Sequence, residues 1–309
     1  MKIQKKTLFT GLLILLGLGI MVIIVSNYQK KQALIIAEKQ TEIAQELAIA
    51  SAAKNEATAS GWQVFYNLEY TGVPNFRPTA TAASAADDFA FLDASQQQII
   101  VVEAASKKFF SLAPPAAAAP TTTIGYQDNQ LLAYADGIYL EDGSYTGQWE
   151  RISPACAAQN VISLIKFDQN YYLTEQTGTI WKVTFADGVW QQTDIWLAQT
   201  AANVSDVVID GYIYLSTDSG LIQYLRGDQT NWHLDTTLTP PVYLTKSADS
   251  WFVLTPAAGQ IQQFTATWQA AAVFPHDLLT QARWIWLNAA GTQIFVSQDN
   301  LLYFYDLTF

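Results

Sequence analysis

Three segments of the chain share a regular residue pattern. Each has a leucine, a glycine five residues later and an isoleucine seven residues later: YYLTEQTGTIWKV (171–183), IYLSTDSGLIQYL (213–225) and FVLTPAAGQIQQF (252–264). The reference leucines are Leu173, Leu215 and Leu254. Two short apolar runs separated by a polar turn with glycine are typical of antiparallel strands joined by a tight connection. The pattern therefore predicts a repeated β-hairpin.

Three weaker copies extend the series to six. Leu92 has Ile99 seven residues later, Leu140 precedes a shortened turn, and Val296 has Tyr303 seven residues later. The six reference positions are spaced 48, 33, 42, 39 and 42 residues apart, about 41 on average. That period is typical of a four-stranded propeller blade. We therefore predict an all-β, six-bladed β-propeller.

The two ends of the repeat region predict how the ring closes. The sixth copy stops at LLYFYDLTF, its third strand, and lacks an outer fourth strand. The region begins with GWQVFYNLEY (61–70), which is similar to the outer strand GVWQQTDIWL (188–197). An amino-terminal strand that completes the last blade would remove an open sheet edge. We assign residues 58–309 to the propeller domain with this closure.

The repeats resemble those of bacterial β-propellers of the quinoprotein-like and NHL-like type. In the quinoprotein-type repeat a Thr-Gly turn precedes a hydrophobic strand that carries Trp, and here these residues are Thr177, Gly178 and Trp181. Leu215 and Leu254 are followed by Ser-Gly and Ala-Gly instead, and quinoproteins commonly have eight blades. The resemblance implies a propeller-repeat protein and does not imply a particular activity.

The amino-terminal region predicts a membrane anchor. Residues 8–25 (LFTGLLILLGLGIMVIIV) contain no charge and would form a helix of roughly 27 Å, close to the hydrocarbon thickness of a bilayer. A signal peptide usually has an apolar stretch of about 7–15 residues, and no small-residue cleavage site follows this one directly. We predict a cytoplasmic tail over 1–7 and a transmembrane helix over 8–25.

The orientation of this anchor rests on flanking positive charges. With the α-amine, they slightly favour a cytoplasmic amino terminus and a propeller outside the cytoplasm, in a single-pass topology. The lysines concerned are Lys2, Lys5 and Lys6 before the span and Lys30, Lys31 and Lys39 after it.

Residues 26–57 are predicted to form a helical stalk. The stretch 28–57 contains no Gly or Pro and is rich in good helix formers. Ile36, Ile43 and Ala50 are seven residues apart, but the seam also contains alanine and glutamine, so it allows only weak self-association. The stretch 58–61 (TASG) then ends the helix.

Few residues suggest catalysis or metal binding. The two histidines, His233 and His276, have no second His or Cys at metal-ligand spacing, and Cys156 has no neighbouring base. A chain with one cysteine forms no internal disulfide. No phosphate-binding loop, nucleophile elbow or zinc-protease motif occurs. We predict no enzyme activity, no catalytic residue and no cofactor or metal site.

Aspartates recur at one position of the repeat. They lie five residues before the reference position, and Gly or Ser follows directly in two of the four copies, which favours a role in turns over a role as metal ligands. These residues are Asp87, Asp168, Asp210 and Asp249.

Aromatic residues recur in the outer part of each repeat, where we expect them to pack between blades. They are Phe109, Trp149, Trp190, Trp232 and Trp268. Trp284 and Trp286 share one face of a predicted strand. They fit packing between blades, or alternatively a platform for a ligand.

The charge balance limits the class of partner. The chain has a net charge of −11 and a pI near 4.5, which argues against nucleic-acid binding. Residues 58–309 contain nine Lys and Arg against 23 Asp and Glu, a net charge of about −14. Such a surface favours basic partners.

These observations predict a membrane-anchored, extracytoplasmic β-propeller that acts as a protein-interaction or scaffold module of the cell envelope. One alternative is a metal-dependent, lactonase-like propeller hydrolase, and another is a small-molecule or glycan sensor. Three or more Asp, Glu, Asn or His side chains that converge at one mouth of the channel would favour the hydrolase.

Overall fold

The computed structural model describes residues 61–186, 189–190, 194–198 and 203–307. All of them belong to the unit Glu56–Phe309. The predicted transmembrane helix over 8–25 and the predicted stalk over 26–57 lie outside the described residues. Within the described ranges, no helix has both the length and the apolar character needed to cross a bilayer.

The strands form six antiparallel sheets, the blades of a propeller, and each blade has a strand at each of four levels. The innermost strands are β2 (Ala80–Ala83), β6 (Thr123–Gln127), β10 (Val161–Phe167), β15 (Asp206–Ile209), β19 (Tyr243–Lys246) and β23 (Trp284–Leu287). The second strands are β3 (Phe89–Asp93), β7 (Gln130–Tyr134), β11 (Asn170–Glu175), β16 (Ile213–Thr217), β20 (Ser250–Thr255) and β24 (Gln293–Gln298). The third strands are β4 (Gln98–Val102), β8 (Ile138–Glu141), β12 (Ile180–Ala186), β17 (Gly220–Leu225), β21 (Gln260–Thr265) and β25 (Leu301–Asp306).

The outermost strands vary most in length. They are β5 (Phe109–Leu112), β9 (Trp149–Arg151), β13 (Val189–Trp190), β18 (Asp228–Gln229), β22 (Ala270–Pro275) and β1 (Trp62–Asn67). A further strand in blade 3, β14 (Asp194–Leu197), also pairs with β12. Short 3-10 helices cover Leu68–Thr71, Pro256–Ala258 and Asp277–Gln281. We number the blades 1 to 6 from β2 to β23.

The predicted closure of the ring is confirmed. Strand β1 pairs antiparallel with β25, so the amino-terminal strand becomes the outermost strand of blade 6. The register places Trp62 opposite Tyr305 and Asn67 opposite Leu301, with an irregularity between Val64 and Tyr66. Because β1 precedes blade 1 in the chain, its hydrogen bonds with β25 join blade 6 to blade 1.

The reference position predicted for blade 2 is wrong. Leu140 lies in the third strand, β8, and pairs with Leu132 of the second strand, β7. With Leu132 as the reference, the positions 92, 132, 173, 215, 254 and 296 are spaced 40, 41, 42, 39 and 42 residues apart. The error arose because the third strand begins IYL, as does the second strand of blade 4. The other five reference positions lie in second strands, as predicted.

The apolar core consists of six separate clusters, and each cluster lies between two neighbouring blades. For example, Leu92 and Ile99 of blade 1 pack with Leu131 and Ala133 of blade 2. Likewise Phe89 of blade 1 packs with apolar residues of blade 6. Second strands lie in the middle of these layers, which explains why β3 and β16 are buried along their whole length. Each blade is therefore stabilised by burial against both of its neighbours.

The six turns between first and second strands all lie on one face of the ring, which we call the turn face. The connections between blades lie on the opposite face, which we call the loop face. On the turn face, Asp87 Oδ1 accepts a hydrogen bond from the Ala289 backbone N–H at 2.7 Å, between blades 1 and 6. On the same face, Lys246 Nζ lies 2.5 Å from Asp210 Oδ2, between blades 5 and 4.

Gly125 marks the closest approach of two innermost strands. A Cβ at this position of β6 would overlap the carbonyl oxygen of Leu164 in β10 and would lie 3.2 Å from the carbonyl carbon. The obstacle is backbone, which a side-chain rotation does not relieve. Only glycine therefore permits this contact between blades 2 and 3.

We expect Gly125→Ala to lower the free energy of unfolding by about 1–3 kcal/mol, because the added methyl group must push two strands apart. For a domain of this size each kcal/mol lowers Tm by about 2–4 °C. The measurement is thermal unfolding. Thr237→Ala, at an exposed position before β19, is the control and should stay within about 0.5 kcal/mol. Equal Tm values for the two variants would contradict the argument.

Candidate functional site

The central channel is a cavity to which every blade contributes. It has a volume of about 750 Å³ and is lined by all six innermost strands. Cavities that bind small molecules usually measure about 300–1,000 Å³. About half of the lining residues are alanine, valine, isoleucine and threonine, and a few charged side chains lie near the two mouths. These charged groups determine what the channel can bind.

Asp206 begins β15 at the loop-face mouth. Its Oδ2 accepts a hydrogen bond from the backbone N–H of Leu244 in blade 5 at 2.6 Å, and its Oδ1 accepts one from Val207 N–H at 2.8 Å. Burial raises the pKa of this carboxyl from 3.8 to about 7, against the lowering effect of these two hydrogen bonds. The residue is half-buried, because it also borders the solvent of the channel. Asp206 therefore fastens blade 4 to blade 5.

Tyr243 and Arg283 lie beside Asp206 on the next two blades. Burial raises the pKa of Tyr243, the charge of Asp206 raises it further, and the charge of Arg283 lowers it. Among the described residues, the Tyr243 hydroxyl has no hydrogen-bond partner, and the Arg283 guanidinium has neither an ion pair nor a hydrogen bond. The loop-face mouth thus combines one engaged carboxyl with two unengaged hydrogen-bond donors.

Other polar groups at this mouth contact each other. Asn203 Nδ2 donates to Asp218 Oδ2 at 2.6 Å, and Val204 N–H donates to the Gln176 carbonyl at 2.8 Å. These contacts join the start of blade 4 to its own second turn and to blade 3. These two hydrogen bonds further restrict the movement of the chain at the loop-face mouth.

Two lysines lie near the turn-face mouth. Lys246 is paired with Asp210 and also lies over the Trp251 ring, with Nζ 5.1 Å from the centroid. Lys166 of β10 lines the channel, is half-buried, and has no acidic partner in the part of the chain that the structure describes. Lys246 also borders a second cavity of about 780 Å³ formed by turns of blades 1, 5 and 6.

The predicted turn role of the repeated aspartates is confirmed. Asp87 and Asp168 adopt positive φ angles of 66° and 55°, which aspartate tolerates better than most residues. Asp210 Oδ1 accepts from Tyr212 N–H at 3.2 Å, and Asp249 lies in the turn before β20. Asp128 occupies the equivalent turn of blade 2 with a φ of 54°.

The outer aromatic residues behave in two ways. Trp149 of blade 2 donates from Nε1 to the Ala113 carbonyl, at the end of blade 1, at 2.9 Å. Trp268 stacks on Trp251 at 4.4 Å between centroids and lies 5.5 Å from Tyr214 of blade 4. These two bear out the expectation of packing between blades, whereas Phe109 is 38% exposed.

Trp190 lies 5.2 Å from Tyr171 of its own blade. Trp232 lies 5.1 Å from Trp268 of blade 5 and 5.7 Å from Tyr214 of its own blade. Each nevertheless packs against an apolar cluster between two blades.

Trp284 and Trp286 both lie in β23 and line the channel. Trp286 packs edge to face on Phe89 of blade 1 at 5.7 Å and on Phe91 at 6.4 Å. The packing alternative is therefore confirmed for Trp286. Trp284 is half-buried at the loop-face mouth.

The structure separates the two histidines. The Nδ1 atom of His276 accepts a hydrogen bond from Leu278 N–H at 3.1 Å and caps the 3-10 helix Asp277–Gln281. His233 is exposed and lies 3.3 Å from Asp235 Oδ1. Cys156 is half-buried against the cluster between blades 2 and 3. In the described ranges, no three His, Cys, Asp or Glu side chains are grouped so that they could hold a metal ion.

No sequence motif predicted the charged and polar residues of the channel. Asp206, Tyr243, Arg283 and Lys166 come from four separate blades, so no local motif contains them. One signal was present: Lys166 is a single charge inside the apolar run VISLIKF. A charged side chain in an innermost strand is expected to face the channel, because the layers between blades are apolar.

No family model matches the sequence. No curated protein matches it either. Among solved structures, 1267 chains match, so the fold by itself does not select a function.

Two of these structures illustrate the range. A streptogramin B lyase structure has a TM-score of 0.57 and 12% identity, covering 80% of this chain and 97% of that chain. A chain of a mitotic checkpoint complex has a TM-score of 0.50 and 11% identity, covering 74% of this chain and 86% of that chain. At such identities the likeness shows the propeller fold alone.

We expect Asp206 to make stability depend on pH. The pKa of Asp206 is higher in the folded protein than in the unfolded chain. Between about pH 4 and pH 7 the carboxyl is therefore protonated in the folded protein and ionised in the unfolded chain. Stability should therefore fall as pH rises through this window and level off above it. In Asp206→Asn this contribution should vanish, because the amide does not titrate.

The measurement is the denaturant midpoint at several pH values across that window. Asp228→Asn, at an exposed turn, is the matched control and should keep the wild-type slope. The comparison of slopes does not depend on any constant loss of stability in Asp206→Asn. An unchanged slope in that variant would contradict the assignment.

Proposed function

We propose that the propeller is a protein-interaction module, anchored to a membrane by residues 8–25 and held outside the cytoplasm by the stalk over 26–57. The length and uncharged character of residues 8–25 support the anchor. The flanking lysines support the orientation. The module presents a closed, rigid ring whose two faces differ in chemistry.

The observation that carries this proposal is the row of aspartates on the turn face. Five of the six turns between first and second strands contain an aspartate, and the sixth contains Asn288. Asp87 and Asp210 are engaged with neighbouring blades, as described above. The remaining three, Asp128, Asp168 and Asp249, are exposed. A rigid ring of carboxylates fits a partner with a basic surface.

Contacts between blades support the rigidity that such a surface needs. The Gln97 side chain joins blades 1 and 2, since its Oε1 accepts from Thr121 N–H at 2.8 Å and its Nε2 donates to the Thr121 carbonyl at 3.0 Å. The Tyr134 hydroxyl of blade 2 donates to the Ala158 carbonyl, ahead of blade 3, at 2.9 Å. A preorganised surface loses little conformational entropy on binding.

The anchor is tested by fractionation of cells that express the full chain. We expect the full chain to resist extraction from membranes by alkaline carbonate and external protease to reach the propeller in intact cells. Deletion of residues 8–25 should release the protein into the soluble fraction. Deletion of residues 28–57 is the control and should leave the protein in the membrane. A full chain that is soluble without detergent would overturn the anchor.

The interaction is tested by crosslinking the full chain in its native membrane and comparing two triple variants. In Asp128→Asn/Asp168→Asn/Asp249→Asn we expect the crosslinked partner to be lost or greatly reduced, and added salt should weaken the wild-type complex. The matched control carries Glu69→Gln, Asp235→Asn and Asp299→Asn, exposed acids remote from the turn face, and should keep the partner. Equal loss in both variants would contradict a turn-face site.

A further inference from the structure

The channel reverses the charge balance of the rest of the propeller. Residues 58–309 contain nine Lys and Arg and 23 Asp and Glu. Three of the nine bases line the channel, against two of the 23 acids, Asp206 and Asp218. The bases are Lys166, Lys246 and Arg283. An acidic protein thus places more bases than acids along its central channel.

The hydrogen bonds and ion pairs of these side chains add to the difference between the channel and the rest of the propeller. Both channel acids are hydrogen-bonded within the protein, Asp206 to two backbone N–H groups and Asp218 to Asn203. Lys246 is paired with Asp210. Lys166 and Arg283 have no acidic partner in the described part of the chain. Two channel cations, Lys166 and Arg283, are therefore available to pair with an anionic ligand.

Arg283 has a suitable neighbour for binding an anion. It lies beside Tyr243, close enough for its charge to lower the pKa of that phenol. The Tyr243 hydroxyl is a donor without a partner among the described residues, and the guanidinium presents several donors in a fixed plane. A planar guanidinium matches the two oxygens of a carboxylate or a phosphate. Trp284 follows Arg283 directly and offers apolar surface at the same mouth.

We propose that the loop-face mouth of the channel binds a small organic anion, with its carboxylate or phosphate held by Arg283 and the Tyr243 hydroxyl. The 750 Å³ cavity, whose wall is of mixed polar and apolar character, accommodates the body of the ligand. Lys166, farther along the channel, adds a long-range attraction. This site is separate from the aspartates of the turn face and does not depend on the proposed protein partner.

The test is calorimetric titration of the full chain with two probes, inorganic phosphate and benzoate, at matched ionic strength. We expect saturable binding of at least one probe, and the probe that binds identifies the chemistry of the site. In Arg283→Gln affinity should fall tenfold or more, since a charged hydrogen bond contributes about 1.5–3 kcal/mol. In Tyr243→Phe, which removes only the hydroxyl, it should fall by about 2–10-fold.

Arg226→Gln is the matched control, because Arg226 is exposed at the turn between β17 and β18 and does not line the channel. Its affinity should equal that of the wild type. Unfolding curves confirm that each variant is folded, and Tyr243→Phe provides a second reading if Arg283→Gln is unstable. The proposal is overturned if neither probe binds, or if Arg226→Gln loses as much affinity as Arg283→Gln.

Discussion

The pairing of β1 with β25 is the contact on which the rest of the structure depends. Every apolar cluster among the described residues lies between two blades, so each blade needs a neighbour on both sides. Without β1, blade 6 would have a bare edge, and the cluster that holds blades 6 and 1 together would lose the residues that follow β1. Phe76, for example, belongs to that cluster with Phe89 and Phe295. Closure converts six weak sheets into one ring.

Polar side chains complete what apolar packing begins. Asp206 and Gln97 each bind backbone groups of the next blade, and Asp87 does so across the junction where the ring closes. The contacts of Asp206 and Gln97 satisfy the backbone donors of two buried residues, Leu244 and Thr121. They also commit many of the acids to the fold, so that the unpaired cations of the channel and the exposed aspartates of the turn face become the groups available to partners.

The sequence allowed most of the fold to be predicted, because a propeller is a local unit repeated along the chain. Leucine, glycine and isoleucine at fixed spacing located three of the six second strands, weaker copies of the pattern located two more, and the missing fourth strand predicted the closure. Blade 2 was misread, since Leu140 and Leu132 lie in adjacent strands with similar composition. Which strand lies next to which in blade 2 is decided by hydrogen-bond pairing between strands. The residue pattern of a single strand does not contain that information.

The sequence by itself determined the number of blades, the turn positions of Asp168 and its equivalents, and the acidic balance of the propeller, because each follows from residues near one another in the chain. Only the tertiary structure decided that Asp206, Tyr243 and Arg283 meet at one mouth, that Gly125 must lack a side chain, and that Trp286 packs on Phe89. These residues come from different blades, and their distances are set by the curvature of the closed ring. That curvature arises from the packing of all six sheets, so the sequence of a single repeat does not determine it.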